Sequence, residues 1–290
     1  MLRSFCIKTN NKSILEFLKC EFENSNLQDL YISTNSFKNF KNIILHYKYS
    51  NNLNLFYTLI AETMTKVIVE FYENNMTKKI LISNYFYFSK NEQESIYNNC
   101  LELLEENNDG KSFRQHVAFT AFYDYIKENK YMVIDGFINF RLKKYLKSLD
   151  EIVDLAVDRY VLEKEYNEFI SLLRLYINSK EIIEPVVHLI YQEQESILLN
   201  EHKQILDTTS DVFDIKYLSD IKFTSNDYAL NALLNLLPGK LYVHLIDGVE
   251  DEFINTLKLI FENRICICRE CAICNIYKLQ QYNRHKVKTE

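Results

Sequence analysis

Four thiols fall within nine residues near the C-terminus, at Cys266, Cys268, Cys271 and Cys274, in a chain with seven cysteines among 290 residues. In a reducing compartment such density points to metal or thiol chemistry rather than to a disulfide framework. The C-x2-C spacing lets two thiolates turn into one tetrahedron, which suits zinc. Cys268, Cys271 and Cys274 also repeat the first three ligands of a bacterial-ferredoxin run, but position 278 is Lys and no Cys-Pro follows, so an iron-sulfur cluster would need Cys266 or a ligand from elsewhere. The expected chemistry is one metal ion, zinc ahead of an iron-sulfur cluster, held by Cys268, Cys271 and Cys274 with Cys266 as the fourth ligand. His285 is an alternative fourth ligand. Thiol redox work, and reduced thiols with no chemical role, stay open.

If residues 264–268 are a strand, Cys266 and Cys268 share one sheet face by the two-residue period, and Cys266 could equally be core. Cys268 would end that strand and Asp247 its neighbour, at the carboxyl edge where α/β sheets favour ligands. A metal- or thiol-dependent enzyme using this turn with Asp247 or His244 is therefore an alternative. His188 and His244 stand in similar apolar strand contexts and would be neighbours if those strands pair. No Ser or Cys nucleophile can be matched to either. The isolated Cys6, Cys20 and Cys100 read as small core residues.

Arg141, Lys143, Lys144 and Lys147 stand without an acid between 137 and 149, and seven acids against two bases follow between 150 and 168. The bases could meet an acidic partner or a phosphate backbone, with Phe140 or Tyr145 to stack on bases. Asp150, Asp154 and Asp158, at i, i+4 spacing, could line up as a metal stripe. The plainer reading is helix electrostatics: Ser148-Leu149-Asp150-Glu151 fits a capping box, so one helix would end in bases and the next begin in acids.

Several elements would position these groups. Residues 2–8, 30–33 and 43–49 read as strands around a helical stripe of Ile14, Leu15, Leu18 and Phe22. From 52 the period becomes helical, with further helical stretches at 90–106, 111–129 and 132–178. Residues 185–191 and 197–200 predict a hairpin. A helix at 226–237, a strand at 240–247, a helix at 250–263 and a strand at 264–268 then give a parallel β-α-β unit. The reading is an α+β protein: an N-terminal α/β part (1–51), a helix-rich central region (52–180), a C-terminal α/β part (181–276) ending in the cysteine cluster, and a polar tail (277–290).

With 4 Gly and 2 Pro the chain has few residues for tight hairpins or phosphate loops, and neither GxGxxG nor GxxxxGK[ST] occurs. Lys and Arg total 34 against 40 Asp and Glu, and this net charge of −6 disfavours broad contact with nucleic acid. Lys8 interrupts any early apolar run, and no stretch approaches the roughly 20 apolar residues of a membrane span. A cytoplasmic location without a membrane span is expected.

Three stretches resemble the YtxC-like family of sporulation proteins from spore-forming Firmicutes. They are Phe137-Ile138-Asn139-Phe140-Arg141-Leu142-Lys143-Lys144-Tyr145, continuing through Val153–Tyr160 and Glu163–Ile170; Asn84-Tyr85-Phe86-Tyr87-Phe88; and the cysteine run. The resemblance spans roughly residues 50–274. It implies a part in spore formation and carries no molecular activity with it. The expected role is a non-enzymatic factor that binds another protein through Arg141, Lys143, Lys144 and Lys147. Nucleic-acid binding and a metal- or thiol-dependent enzyme are the alternatives.

Overall fold

Phe5, Ile7, Ile43 and Leu45 are fully buried on alternate positions of two paired strands, and they form the floor of the first of two compact units, which divide after Glu163. The fold is that of a computed structural model, which describes residues 2–37, 40–48, 53–106, 108–206 and 224–287 and, within them, the side chains other than those of 37, 108 and 280–287.

The first unit begins with β1 (Leu2–Thr9), α1 (Lys12–Glu23), β2 (Leu30–Phe37) and β3 (Phe40–Lys48). Asn11 caps α1 by accepting the Ser13 and Ile14 amides, and Ile14, Leu18 and Phe22 lie one helical turn apart on its buried face. Then come α2 (Asn54–Val67), a π-helical turn (Ile68–Tyr72), α3 (Glu73–Asn84), α4 (Lys90–Glu106), α5 (Asn108–Glu128), β4 (Tyr131–Val133), α6 (Ile134–Arg141) and the start of α7 (Lys143–Ser179). The sheet order is β2-β3-β1-β4, with β4 parallel to β1 and the other pairs antiparallel. Phe56, Ile60 and Met64 of α2, Phe122 and Ile126 of α5, and Tyr145 and Leu149 of α7 complete one core with the strand residues. The first fifty residues thus share one core with α2, α5, α6 and the start of α7, while Leu81, Ile96, Cys100, Val153 and Ala156 form a smaller separate cluster.

The capping box expected at Ser148 is absent. α7 runs through it, and the Ser148 hydroxyl donates to the carbonyl of Tyr145 one turn back. The reason is packing: the buried positions Leu142, Tyr145, Leu149, Val153 and Ala156 carry the helical period across the change of charge. The chain breaks at Leu142 instead, whose carbonyl accepts the first α7 bond from the Leu146 amide.

The second unit holds the remainder of α7, then β5 (Val186–Gln192), β6 (Glu195–Leu199), α8 (Ser225–Leu236), β7 (Lys240–Leu245), α9 (Glu252–Phe261), a 3-10 turn (Glu262–Arg264), β8 (Ile265–Cys268) and α10 (Ala272–Val287). Its sheet order is β6-β5-β7-β8. β5 and β6 form the expected hairpin, and β7-α9-β8 is the expected parallel unit. The two hairpin-turn residues, Glu193 and Gln194, both adopt positive φ, the turn whose twist matches that of the flanking strands. Gly239 enters β7 where a Cβ would meet the Pro185 carbonyl oxygen at 3.0 Å, so the close approach requires glycine. One sheet face, with Val187, Leu189, Leu241 and Val243, packs on Ile170 and Ile177 of α7, Leu233 of α8 and Leu257 of α9. The other face carries His188, Ile190, Tyr242 and His244.

Of the residues read as a polar tail, 277–287 belong to α10. His285 lies among the side chains outside the described ones. No helix among the described residues is long and apolar enough to cross a membrane.

Candidate metal centre

Strand register decides which groups meet. β7 and β8 are parallel, and His244 stands opposite Cys268 with both side chains on the sheet face away from the main core. After Cys268 the chain turns at Arg269 and Glu270. Arg269 is tied to Glu250, which also pairs with Lys258, and the Lys278 ammonium donates to the Arg269 carbonyl. α10 then begins immediately after Cys271, whose carbonyl accepts the Asn275 amide and whose sulfur accepts the Cys274 amide at 3.5 Å. The sulfur therefore caps the helix as an N-cap side chain does, while the C-x2-C spacing brings Cys274 round one turn to the same point.

Four donor atoms converge: one His244 ring nitrogen and the sulfurs of Cys268, Cys271 and Cys274, all within 4.8 Å of one another. The Cys271–Cys274 and Cys268–Cys274 sulfur separations are 3.6 and 3.8 Å. The His244 Nδ1 lies 3.4 Å from Cys271 Sγ and 3.5 Å from Cys274 Sγ. With zinc–sulfur bonds of about 2.3 Å and zinc–nitrogen bonds of about 2.0–2.1 Å, a tetrahedron has sulfur–sulfur edges of about 3.8 Å and nitrogen–sulfur edges of about 3.5 Å. These four of the six separations match those edges, and all six lie within 4.8 Å.

His244 is 3% exposed and Cys274 fully buried, while Cys268 and Cys271 are half-buried. Ile190, Leu199, Ile246 and Ile273 form the apolar seat beneath the group, with Tyr277 packed against it. Burial, with the neighbouring His188, lowers the His244 pKa to about 4, which keeps the ring neutral as metal ligation requires. Burial and hydrogen bonds to the other two thiols push Cys274 up to about 12. Burial also raises the Cys271 thiol, but donation from the Cys274 amide and the neighbouring thiols outweighs it and brings the net value below the ordinary one.

The structure puts His244, and not Cys266, with the three other cysteines. Cys266 does share the sheet face of Cys268, but its partner across β7 is Tyr242, and it is exposed rather than core. Two signals pointed toward His244: its place in a strand next to β8, and the two-residue period that puts it on one face. What sequence reading lacked was the register. Asp247 stands apart from the group, accepting the Glu193 and Val249 amides.

Elsewhere, Arg141, Lys143, Lys144 and Lys147 are all exposed. Arg141 lies over the Tyr125 ring, and Lys147 pairs with Glu151 one turn on. Asp150 and Asp154 accept from the Asn84 amide and the Tyr85 hydroxyl at 2.8 and 2.7 Å, so these acids hold the 84–88 loop rather than converging as a metal stripe. Of the isolated cysteines, Cys100 is buried and Cys6 half-buried. Cys20 is exposed, because α1 buries the positions Leu18 and Phe22 on either side of it.

The YtxC-like family matches residues 58–266, a span that takes in His188 and His244 and stops just before Cys268. A protein of Bacillus subtilis (strain 168) recorded as "Uncharacterized protein YtxC" is 23% identical over 217 residues, covering 71% of this chain and 76% of its own length. No solved structure matches the chain.

Proposed function

The chain belongs to the YtxC-like family, and from that premise we propose that it is a non-enzymatic interaction factor whose C-terminal helix is fastened to its sheet by one zinc ion. The observation that supports this most is the convergence of His244, Cys268, Cys271 and Cys274 at tetrahedral spacing. Four protein donors fill zinc's coordination shell, the arrangement of structural rather than catalytic sites. Three thiolates and a neutral imidazole carry a charge of about −3, which a divalent cation largely offsets. The ion would tie β7, β8 and α10 together across the sheet face opposite the one on which α7, α8 and α9 pack. It would thereby place Ile276 and Leu279, both exposed on α10, in a fixed position.

Metal analysis of protein purified reduced, without a metal-affinity tag, tests this. About one zinc per chain is expected, falling to near none in Cys274→Ala. Less than about a tenth of an equivalent, with no protection of the thiols on adding zinc, would remove the site. An iron-sulfur cluster is the second metal outcome, read by its visible absorption.

The family resemblance supports a part in spore formation, and a cytoplasmic location and a protein partner complete the proposal. The exposed basic group Arg141, Lys143, Lys144 and Lys147 is the proposed contact for that partner's acids. Gene deletion should lower spore yield, and Arg141→Glu with Lys144→Glu and Lys147→Glu should weaken partner capture without changing the fold. If binding instead goes to nucleic acid, affinity should fall steeply with salt.

A further inference from the structure

His188 projects from β5 onto the same sheet face as His244, fixed there by Val187 and Leu189, which are buried in the core on either side of it. Its ring stacks on Tyr242 with centroids 5.3 Å apart and planes at 21°. Its Nδ1 lies 3.0 Å from the Nε2 of His244, a hydrogen-bonding separation between two imidazoles. In such a pair one nitrogen must carry the proton and the other accept it.

The opposite edge of His244 decides which. Its Nδ1 faces the sulfurs of Cys271 and Cys274, so a metal there takes the Nδ1 lone pair and leaves the proton on Nε2. Nε2 can then only donate, and the group it meets is Nδ1 of His188. Without metal the alternative tautomer is open to His244, with Nδ1–H directed at sulfur and Nε2 accepting from His188.

We propose that His188 is a positioning residue of the metal centre, whose Nδ1 accepts the His244 Nε2 proton and so holds the His244 ring in the tautomer and orientation that ligate zinc. This inference rests on the zinc reading above and deepens it. Metal-ligating histidines commonly give their second N–H to such an outer acceptor, and its loss weakens metal binding by roughly 10- to 100-fold. Here the acceptor is another histidine, carried on the adjacent parallel strand and oriented by stacking on Tyr242.

Zinc affinity by competition with a chromophoric chelator, on the full chain, tests the assignment in three proteins. His188→Leu keeps side-chain bulk and removes the acceptor, so zinc should bind roughly 10- to 100-fold more weakly than in wild type. His188→Asn offers an amide oxygen near the place of Nδ1 and should recover most of that loss. Cobalt(II) in all three should give the visible bands of one nitrogen and three sulfurs, since the ligands are unchanged. Metal-free melting should shift far less than zinc affinity does.

Zinc affinity of His188→Leu within about twofold of wild type overturns the proposal and leaves the zinc site standing. An Asn variant as weak as the Leu variant overturns the hydrogen-bond account. Wild-type protein that takes up no zinc removes the premise and the proposal together. A readout needing no variant is nitrogen-correlated NMR of the zinc-loaded wild type, where the His244 proton must be found on Nε2. A proton on Nδ1 sinks the inference.

Discussion

Each unit buries a cluster of groups that could do chemistry, and the clusters are built on opposite principles. In the first unit Glu73, Arg114 and Tyr145 are 6%, 3% and 0% exposed. Arg114 Nε donates to Glu73 Oε1 at 2.9 Å, the Tyr145 hydroxyl donates to the same oxygen at 2.7 Å, and Arg114 Nη2 reaches the Leu104 carbonyl at 3.2 Å. Cation meets anion and donors meet acceptors, so the cluster is closed on itself. In the second unit His244, Cys268, Cys271 and Cys274 turn four lone-pair groups toward one point. Ionised, the three thiols repel one another, and a cation at the centre would offset their charge. A buried polar cluster is therefore a candidate ligand site when its members share one character, and architecture when they complement each other. A π-helical turn, Ile68–Tyr72, ends directly before Glu73.

The most disruptive way to probe this contrast is to break the closed cluster. Arg114→Met strands the Glu73 carboxylate in the core and should cost about 3–5 kcal/mol in urea unfolding, with zinc content unchanged. Replacing both partners, Glu73→Leu with Arg114→Met, should recover a large part of that cost. A single variant costing under about 1 kcal/mol would mean that water already reaches the carboxylate.

Emptying the open cluster should act next most strongly, and locally. Zinc at 100- to 1,000-fold above its dissociation constant adds about 2.7–4.1 kcal/mol to the unfolding of the structure that holds it. A chelator, or Cys274→Ala, should remove that increment and speed hydrogen exchange in residues 269–279, leaving exchange in β1 and β3 unchanged. Exchange that rises equally in the β1–β3 sheet would contradict a local role.

Two small effects sharpen the boundaries of the clusters. Ser148→Ala should change stability by less than about 0.5 kcal/mol, as for a residue in the interior of a helix, whereas a true N-cap would lose about 1 kcal/mol. Cys266→Ser should leave zinc stoichiometry and affinity unaltered, since its partner across the strands is Tyr242 and its side chain is exposed. A weakened site in that variant would return Cys266 to the ligand set.

The residue order alone determined what local periodicity can carry. The stripes of α1 and α2 and the hairpin of β5 and β6 are each set by neighbours a few residues apart, and the β7-α9-β8 unit was legible from the order of its elements and their short connections. The three cysteines at x2 spacing were legible for the same reason, because one turn is enough to bring them together. Tertiary structure decided what depends on pairing between distant segments. β4 reads locally as the start of a helix, yet its three residues pair with β1. The expected cap at Ser148 obeyed a local rule that the core overrode, since continuous burial of Tyr145, Leu149 and Val153 favours an unbroken α7. Glu73 meets partners 41 and 72 residues away. His244 faces Cys268 through strand register, which hydrogen bonds between separate segments fix and which no spacing along the chain records.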